Sequence, residues 1–459
     1  GGPGELGGPG ELGGPGELGG PGELGGRIDA ARGALAEVIE RIRRRVGYER
    51  FLALPDLDDI GAAVRPGVPL AYLVPTGGGC LVLLAYRRPD GEPAAEDLWV
   101  PELSTAAIDR LVIGGPTAER SFLWQQITGD PGFAAVLAGV LGEVGPRLAA
   151  PLAARLRELD ATGVVLVPGG RLASLPLHAA PYGRDGETAC LLDDFDVHYA
   201  PSAWVHADAL SRAARLSAAP ATLTGIADPT GDLRYARAEL EDVAALFTGR
   251  GAPAPRTHYG ERATKDALTG GLPATYVHLA CHGRYTVTDP LESHLLLAGD
   301  VPLTLRELLD GRGFEGARLV VASACQTAVS ELLFLPDEAV GLPAGFLRAG
   351  AAAVIGTLWP VDDVSTALLM TRFYQGHLDE RLPVDRALRR AQRWLATVTA
   401  GELAEHFAAQ ASPPVDSGAG RRLPAELAAA GAIRFGFDDP DHRPFAEPYH
   451  WAPFVLMGA

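Results

Sequence analysis

A chain of 459 residues, 47% of them apolar, is long enough for two or three ordinary domains with a sizeable core. Its net charge of −17 argues against a binder of nucleic acid or of an acidic membrane surface, either of which needs a basic face. Four widely spaced cysteines, Cys80, Cys190, Cys281 and Cys325, form no CxxC pair, which argues against disulfides and structural zinc and suits a reducing cytoplasm.

Residues 1–24 are GGPGEL repeated four times. Glycine at every third position admits a collagen-like reading, and the six-residue period admits a β-helix turn. One proline in six residues is few for the first, and one leucine per repeat is a poor apolar supply for the second. Residues 1–26 are therefore expected to be a disordered, mildly acidic arm. No basic-then-apolar leader precedes the body, and no run of 18 apolar residues reads as a membrane span.

In "RIDAARGALAEVIERIRRRVG", Ile28, Ala31, Leu35, Val38, Ile39, Ile42 and Val46 recur at three- and four-residue steps, predicting an amphipathic helix. The runs "LAYLVPT" and "GCLVLLAYRR" read as strands, with the turn former "PDGEP" after them. Residues 130–160 read as helix. Residues 27–159 are thus expected to be a smaller α+β region, packed on or part of the unit that follows.

From residue 160 the texture changes. "GVVLVPGG", "ATLTGIADPTG", "ATYVHLACHG", "ARLVVASACQTA", "AGAAAVIGTLWPVDD" and "FVLMG" read as strands running into turns, with helices between them. Continuous apolar strands alternating with helices predict an α/β layered fold with a mostly parallel sheet over 160–459. Ligands in such sheets bind at the carboxyl ends of strands, where both His282-Gly283 and Cys325 fall.

The stretch "YVHLACHGRY" holds His278, Cys281 and His282. A metal site is disfavoured, because no third ligand is suggested nearby. Cys325, at the end of a strand and before a candidate helix start, has a setting that favours a thiolate. His282 at a neighbouring strand end can take its proton, and the Gly283 N–H can help hold an oxyanion. Residue type and spacing alone leave a second reading open, a buried inert thiol beside a structural histidine.

The stretches "VVLVPGGRLASLPLHAAPY", "YAPSA", "ADPTGDLRYARAELEDVAALF", "VHLACHG", "DPLESHLLLAG", "LVVASACQTA", "DEAVGLPAGFLRAGAAAVIGTLWPVDD", "FYQ", "ALRRAQRWL" and "PYHWAPFVLMG" resemble, in this order, the CHAT-domain family, relatives of caspases and separases. The resemblance covers about residue 160 onward. It implies a caspase-like α/β/α fold and a cysteine endopeptidase with His282 as base and Cys325 as nucleophile. It implies a protein or peptide substrate and a regulatory protein partner; no metal, no cofactor and, from the free thiols, a cytoplasmic setting are expected beside it. The tetratricopeptide repeats of many family members have no 34-residue counterpart here.

"LWPVDD" resembles a separase segment in which an acidic residue receives arginine, so the resemblance implies a substrate pocket at Asp363, with Asp362 beside it and Trp359 lining it. Helix capping by Asp362 or Asp363 is the alternative, and for Trp359 a place in the core. Asp337 and Glu338 are a second choice for the pocket. Asp289 is a candidate to orient His282, with a turn role as its alternative. Two other functions stay open: a non-catalytic interaction module that kept the fold, and a cysteine hydrolase or acyltransferase acting on small molecules. The substrate, the activating signal and the oligomeric state are not legible.

Overall fold

Five runs without polar alternation, GVVLVP, LTGIA, YVHLA, LVVA and AVIGT, all form strands buried along nearly their whole length. Such strands need cover on both faces, which fixes a layered design. The computed structural model describes residues 33–46, 48–49, 57–115, 117, 120–248, 253–270, 274–311, 313–323, 341–411 and 439–459. The GGPGEL repeats, Cys325, Asp337 and Glu338 lie outside the described residues.

The chain divides into two units, Gly1–Asp56 and Leu57–Ala459. The described part of the first includes a helix over 33–43, within the stretch whose apolar periodicity predicts one. The second unit carries all the described strands. They are β1 (Leu70–Thr76), β2 (Gly79–Arg87), β3 (Pro93–Val100), β4 (Gly163–Pro168), the small hairpin β5 (Tyr182–Arg184) and β6 (Glu187–Ala189), and β7 (Asp196–Tyr199). There follow β8 (Leu223–Ala227), β9 (Arg256–Tyr259), β10 (Tyr276–Ala280), β11 (Gly283–Arg284), β12 (His294–Leu297), β13 (Val301–Thr304), β14 (Leu319–Ala322), β15 (Ala353–Thr357) and β16 (Phe454–Gly458).

Eleven of them form one sheet in the order β3-β2-β1-β4-β7-β16-β15-β14-β10-β8-β9. Within it, β1, β4, β7 and β16 are mutually parallel, and so are β15, β14, β10, β8 and β9. The two blocks meet at the antiparallel pair β15–β16 and so point in opposite directions. The mostly parallel α/β sheet expected from the sequence is present, with this reversal at its centre. The N-terminal strands extend the same sheet, because β1 pairs with β4 from Leu70↔Val165 to Leu73↔Pro168.

Alternate residues of β10 enter opposite cores. Tyr276 and Ala280 join the cluster built with the helices Ala236–Phe247, Asp363–Tyr374 and Val384–Thr397. Val277, Leu279 and Cys281 join the cluster that includes Leu342, Phe346 and Leu347 of the helix Leu342–Arg348. This two-residue alternation between two apolar layers is the α/β/α sandwich in its simplest form.

Residues Phe133–Glu158 form a continuous helical stretch of 26 residues, within the 130–160 segment expected to be helical; it is long and apolar enough by composition to cross a membrane, a property the sequence reading did not anticipate. Leu137, Leu141, Val144, Leu148, Leu152 and Leu156 of this stretch are buried in the main core. Arg147 and Arg155 on it pair with Glu143 and Glu96.

Candidate active site

β8 and β10 run side by side, and the loop after β8 is tied to the end of β10. The Asp228 N–H donates to the Ala280 carbonyl at 2.9 Å. Asp228 adopts a left-handed φ of 48°, a conformation that aspartate tolerates better than most residues, and its Oδ1 accepts from the Leu233 N–H at 2.9 Å. This turn carries Asp232 to His282, whose Nε2 lies 2.9 Å from Asp232 Oδ1. His282 is half-buried and Asp232 is exposed. The Thr230 hydroxyl, and after it His282, hold the Asp232 carboxyl below its ordinary range.

Asp232 is the residue that the sequence reading missed. The candidate it offered, Asp289, caps the short turn Pro290–Glu292 by accepting from the Leu291 N–H, and pairs with Arg306. Asp289 thus has the turn role. The signal for Asp232 was the polar turn "DPTGD" at a strand end, which by itself looks like any other turn.

Four residues before His282, within β10, His278 is fully buried. Its Nε2 is 2.9 Å from Glu239 Oε1, and its Nδ1 is 3.3 Å from the Tyr374 hydroxyl. Burial pushes the Tyr374 hydroxyl well above its ordinary pKa, so it stays protonated, and both ring nitrogens of His278 have a polar partner. Opposite His278 in register stands Gly225 of β8. A Cβ there would lie 2.2 Å from Leu240 Cδ1, so the missing side chain lets the helix Ala236–Phe247 close on the sheet. His278 therefore links two helices, one entered from the Asp232 loop and the other from "WPVDD".

At the second of these entries, Asp362 is the N-cap of the helix Asp363–Tyr374 and accepts from the N–H groups of Val364 and Ser365. Asp363 is the exposed first residue of that helix. Both line an open cleft of about 370 Å³ with Tyr235, Pro360, Val361, Tyr449 and His450. Trp359 does not line it. The indole is fully buried, packs edge-on against Phe133, lies parallel to Tyr449 and donates its N–H to the Tyr449 carbonyl at 3.0 Å. It braces the cleft wall from behind.

β10 and β14 pair in register up to Leu279↔Ala322, and the Ser323 hydroxyl donates to the Leu279 carbonyl at 3.4 Å. Gly283 opens β11, opposite Leu295 of β12. Cys281 is buried on the face away from His278, among Ile226, Leu279 and Val320. Among the described residues no group of three or more His, Cys, Asp or Glu is placed to hold a metal ion.

Comparison with curated proteins gives no match. Among solved structures, the chain is similar to chains of the Saccharomyces cerevisiae separase–securin complex. One has 12% identity, covers 73% of this chain and 29% of its own length, and gives a TM-score of 0.49. A second has 11% identity and covers 92% of this chain and 33% of its own length, at a TM-score of 0.48. The chain therefore spans no more than 33% of the length of those two chains. The Arg specific cysteine proteinase gingipain R has 12% identity, with 72% of this chain and 68% of that chain covered, at a TM-score of 0.34. The CHAT domain model matches residues 138–459, the greater part of the sequence, and the chain belongs to the CHAT-domain family.

Proposed function

We propose that the protein is a cysteine endopeptidase with His282 as general base and Cys325 as nucleophile. The observation that carries this reading is the β10–β14 register. Leu279 and Ala322 are paired, and His282 and Cys325 each follow their own member of that pair by three residues. Parallel neighbours lie about 4.8 Å apart, so equal offsets from a paired position favour a shared site at the carboxyl edge of the sheet.

The thiol of Cys325 gives its proton to His282, and the thiolate attacks the carbonyl carbon of the scissile peptide. The oxyanion that forms is held by the Gly283 N–H. Collapse of this intermediate breaks the C–N bond, and the imidazolium returns its proton to the departing amine. Water then hydrolyses the thioester, with His282 again accepting a proton, and regenerates the thiol.

The cleft beside Asp363 takes the side chain before the cut. Its aromatic walls, Tyr235 and Tyr449, and its carboxylates suit a long cation, and arginine offers a planar fork where lysine offers a point charge. The substrate is thus a protein or peptide with arginine at that position.

The test is a fluorogenic peptide panel with a matched small ester, combined with labelling by an electrophilic peptide. Turnover and labelling that vanish in both Cys325→Ala and His282→Ala are expected. Peptide labelling that persists in Cys325→Ala, or ester turnover without peptide turnover, would discard the endopeptidase reading.

A further inference from the structure

We infer that Asp232 is a positioning residue of the reaction centre: it holds neutral His282 as the Nε2–H tautomer and thereby makes Nδ1 the nitrogen that takes the thiol proton. The inference rests on the peptidase reading and deepens it. A carboxylate can only accept, so the proton in the 2.9 Å contact between His282 Nε2 and Asp232 Oδ1 belongs to the imidazole. With Nε2 committed as donor, the lone pair of the neutral ring is on Nδ1.

The contact is built into the loop rather than left to two wandering side chains. Asp228 anchors the loop at both ends, through the Ala280 carbonyl on one side and the Leu233 N–H on the other. Ala280 is two residues before His282, so base and acidic partner are referenced to the same point of β10. The Thr230 hydroxyl also donates to Asp232 Oδ1, which orients the carboxylate and favours its charged form. Asp232 is 64% exposed, and a pair this exposed adds little to folding stability. The arrangement therefore acts on the state of the imidazole, and its substitution should not unfold the chain.

The test uses full-length protein with ¹⁵N-labelled histidine, His282 being assigned by loss of its signals in His282→Gln. Two-bond proton–nitrogen correlations read the tautomer directly and need no turnover. Nε2–H is expected for neutral His282 in the wild type and in Cys325→Ala, and a mixture with Nδ1–H in Asp232→Asn. On peptide substrate, Asp232→Asn should lower kcat on the order of 10- to 100-fold, within or below what a general base contributes, with KM little changed. Asp232→Glu, which keeps a carboxylate that can only accept, should recover part of the loss. A wild-type Nδ1–H tautomer, or a tautomer and kcat unchanged in Asp232→Asn, would overturn the role of Asp232 while leaving the dyad intact. Absence of any Cys325-dependent turnover would overturn the catalytic meaning by removing the peptidase reading itself.

Discussion

His278 Nε2 and Glu239 Oε1 face each other at 2.9 Å in the interior of the protein, where neither side chain reaches water. Removing one partner leaves the other buried and unsatisfied. Glu239→Ala should cost at least about 1–3 kcal/mol from the stranded imidazole alone, with a cavity contribution added. Glu239→Gln, which can still accept, should cost clearly less. Urea denaturation of the three proteins at neutral pH measures the difference, and equal stability of the Ala variant and the wild type would show the pair to be idle.

The cap and the cleft can be separated. Asp362 holds the first turn of its helix, so Asp362→Ala should destabilise by about 1 kcal/mol and Asp362→Asn should be nearly silent, since Asn caps as well as Asp. Asp363 lies one residue inside the helix and faces the cleft. Asp363→Asn should keep the melting temperature and lower kcat/KM for arginine peptides by about tenfold or more, the worth of one charge-assisted hydrogen bond. Peptides ending in Arg, Lys, Asp or Leu provide the comparison, and a preference for Asp or Leu discards the pocket.

Thiol reactivity should be confined. Burial pushes the thiols of Cys80 and Cys190 up to about 11 and about 12, and Cys281 is buried as well. Native protein treated with iodoacetamide should carry label on Cys325 long before the other three, which should react only after denaturation. Peptide mapping by mass spectrometry reads the order. Early label on Cys281 would contradict its place in the core.

Acid should weaken the fold before most carboxylates titrate. Burial pushes His178 and His206 from an ordinary 6.5 down to about 3, with the neighbouring His198 and Arg65 adding to the effect at His206. Between those values the unfolded chain binds protons that the folded chain refuses, so stability rises with pH. On acidification from pH 6.5 to 4.5 each such histidine should remove about 1.4 kcal/mol per pH unit. His178→Gln should flatten the slope of unfolding free energy against pH, and an unchanged slope would show that His178 titrates normally in the folded protein.

Much of this architecture was written in local patterns. Runs such as GVVLVP and LVVA announce buried strands because no polar side chain interrupts them, and His282 stands out because a reactive side chain follows the mostly apolar YVHLA. Asp232 could not be found that way. It is fifty residues before His282, and only the β8–β10 pairing brings the two together. Trp359 was ambiguous for a related reason: an aromatic after a strand can turn inward or outward, and here Phe133 and Tyr449 provide the inward partners. The opposed direction of the two sheet blocks was equally hidden, since it depends on which distant strands β16 joins.

The place of β16 bears on the order of assembly during synthesis. It follows every other described strand in sequence, yet it lies between β7 and β15 in the sheet. Until Phe454–Gly458 has been made, the block that ends at β7 and the block that begins at β15 have no strand to join them, and each presents an unpaired edge. Domains ordinarily begin folding as they emerge. This one stays two half-sheets until β16 is in place, so the strands that lead to His282 and to the cleft are locked to the other block only after translation has passed residue 458.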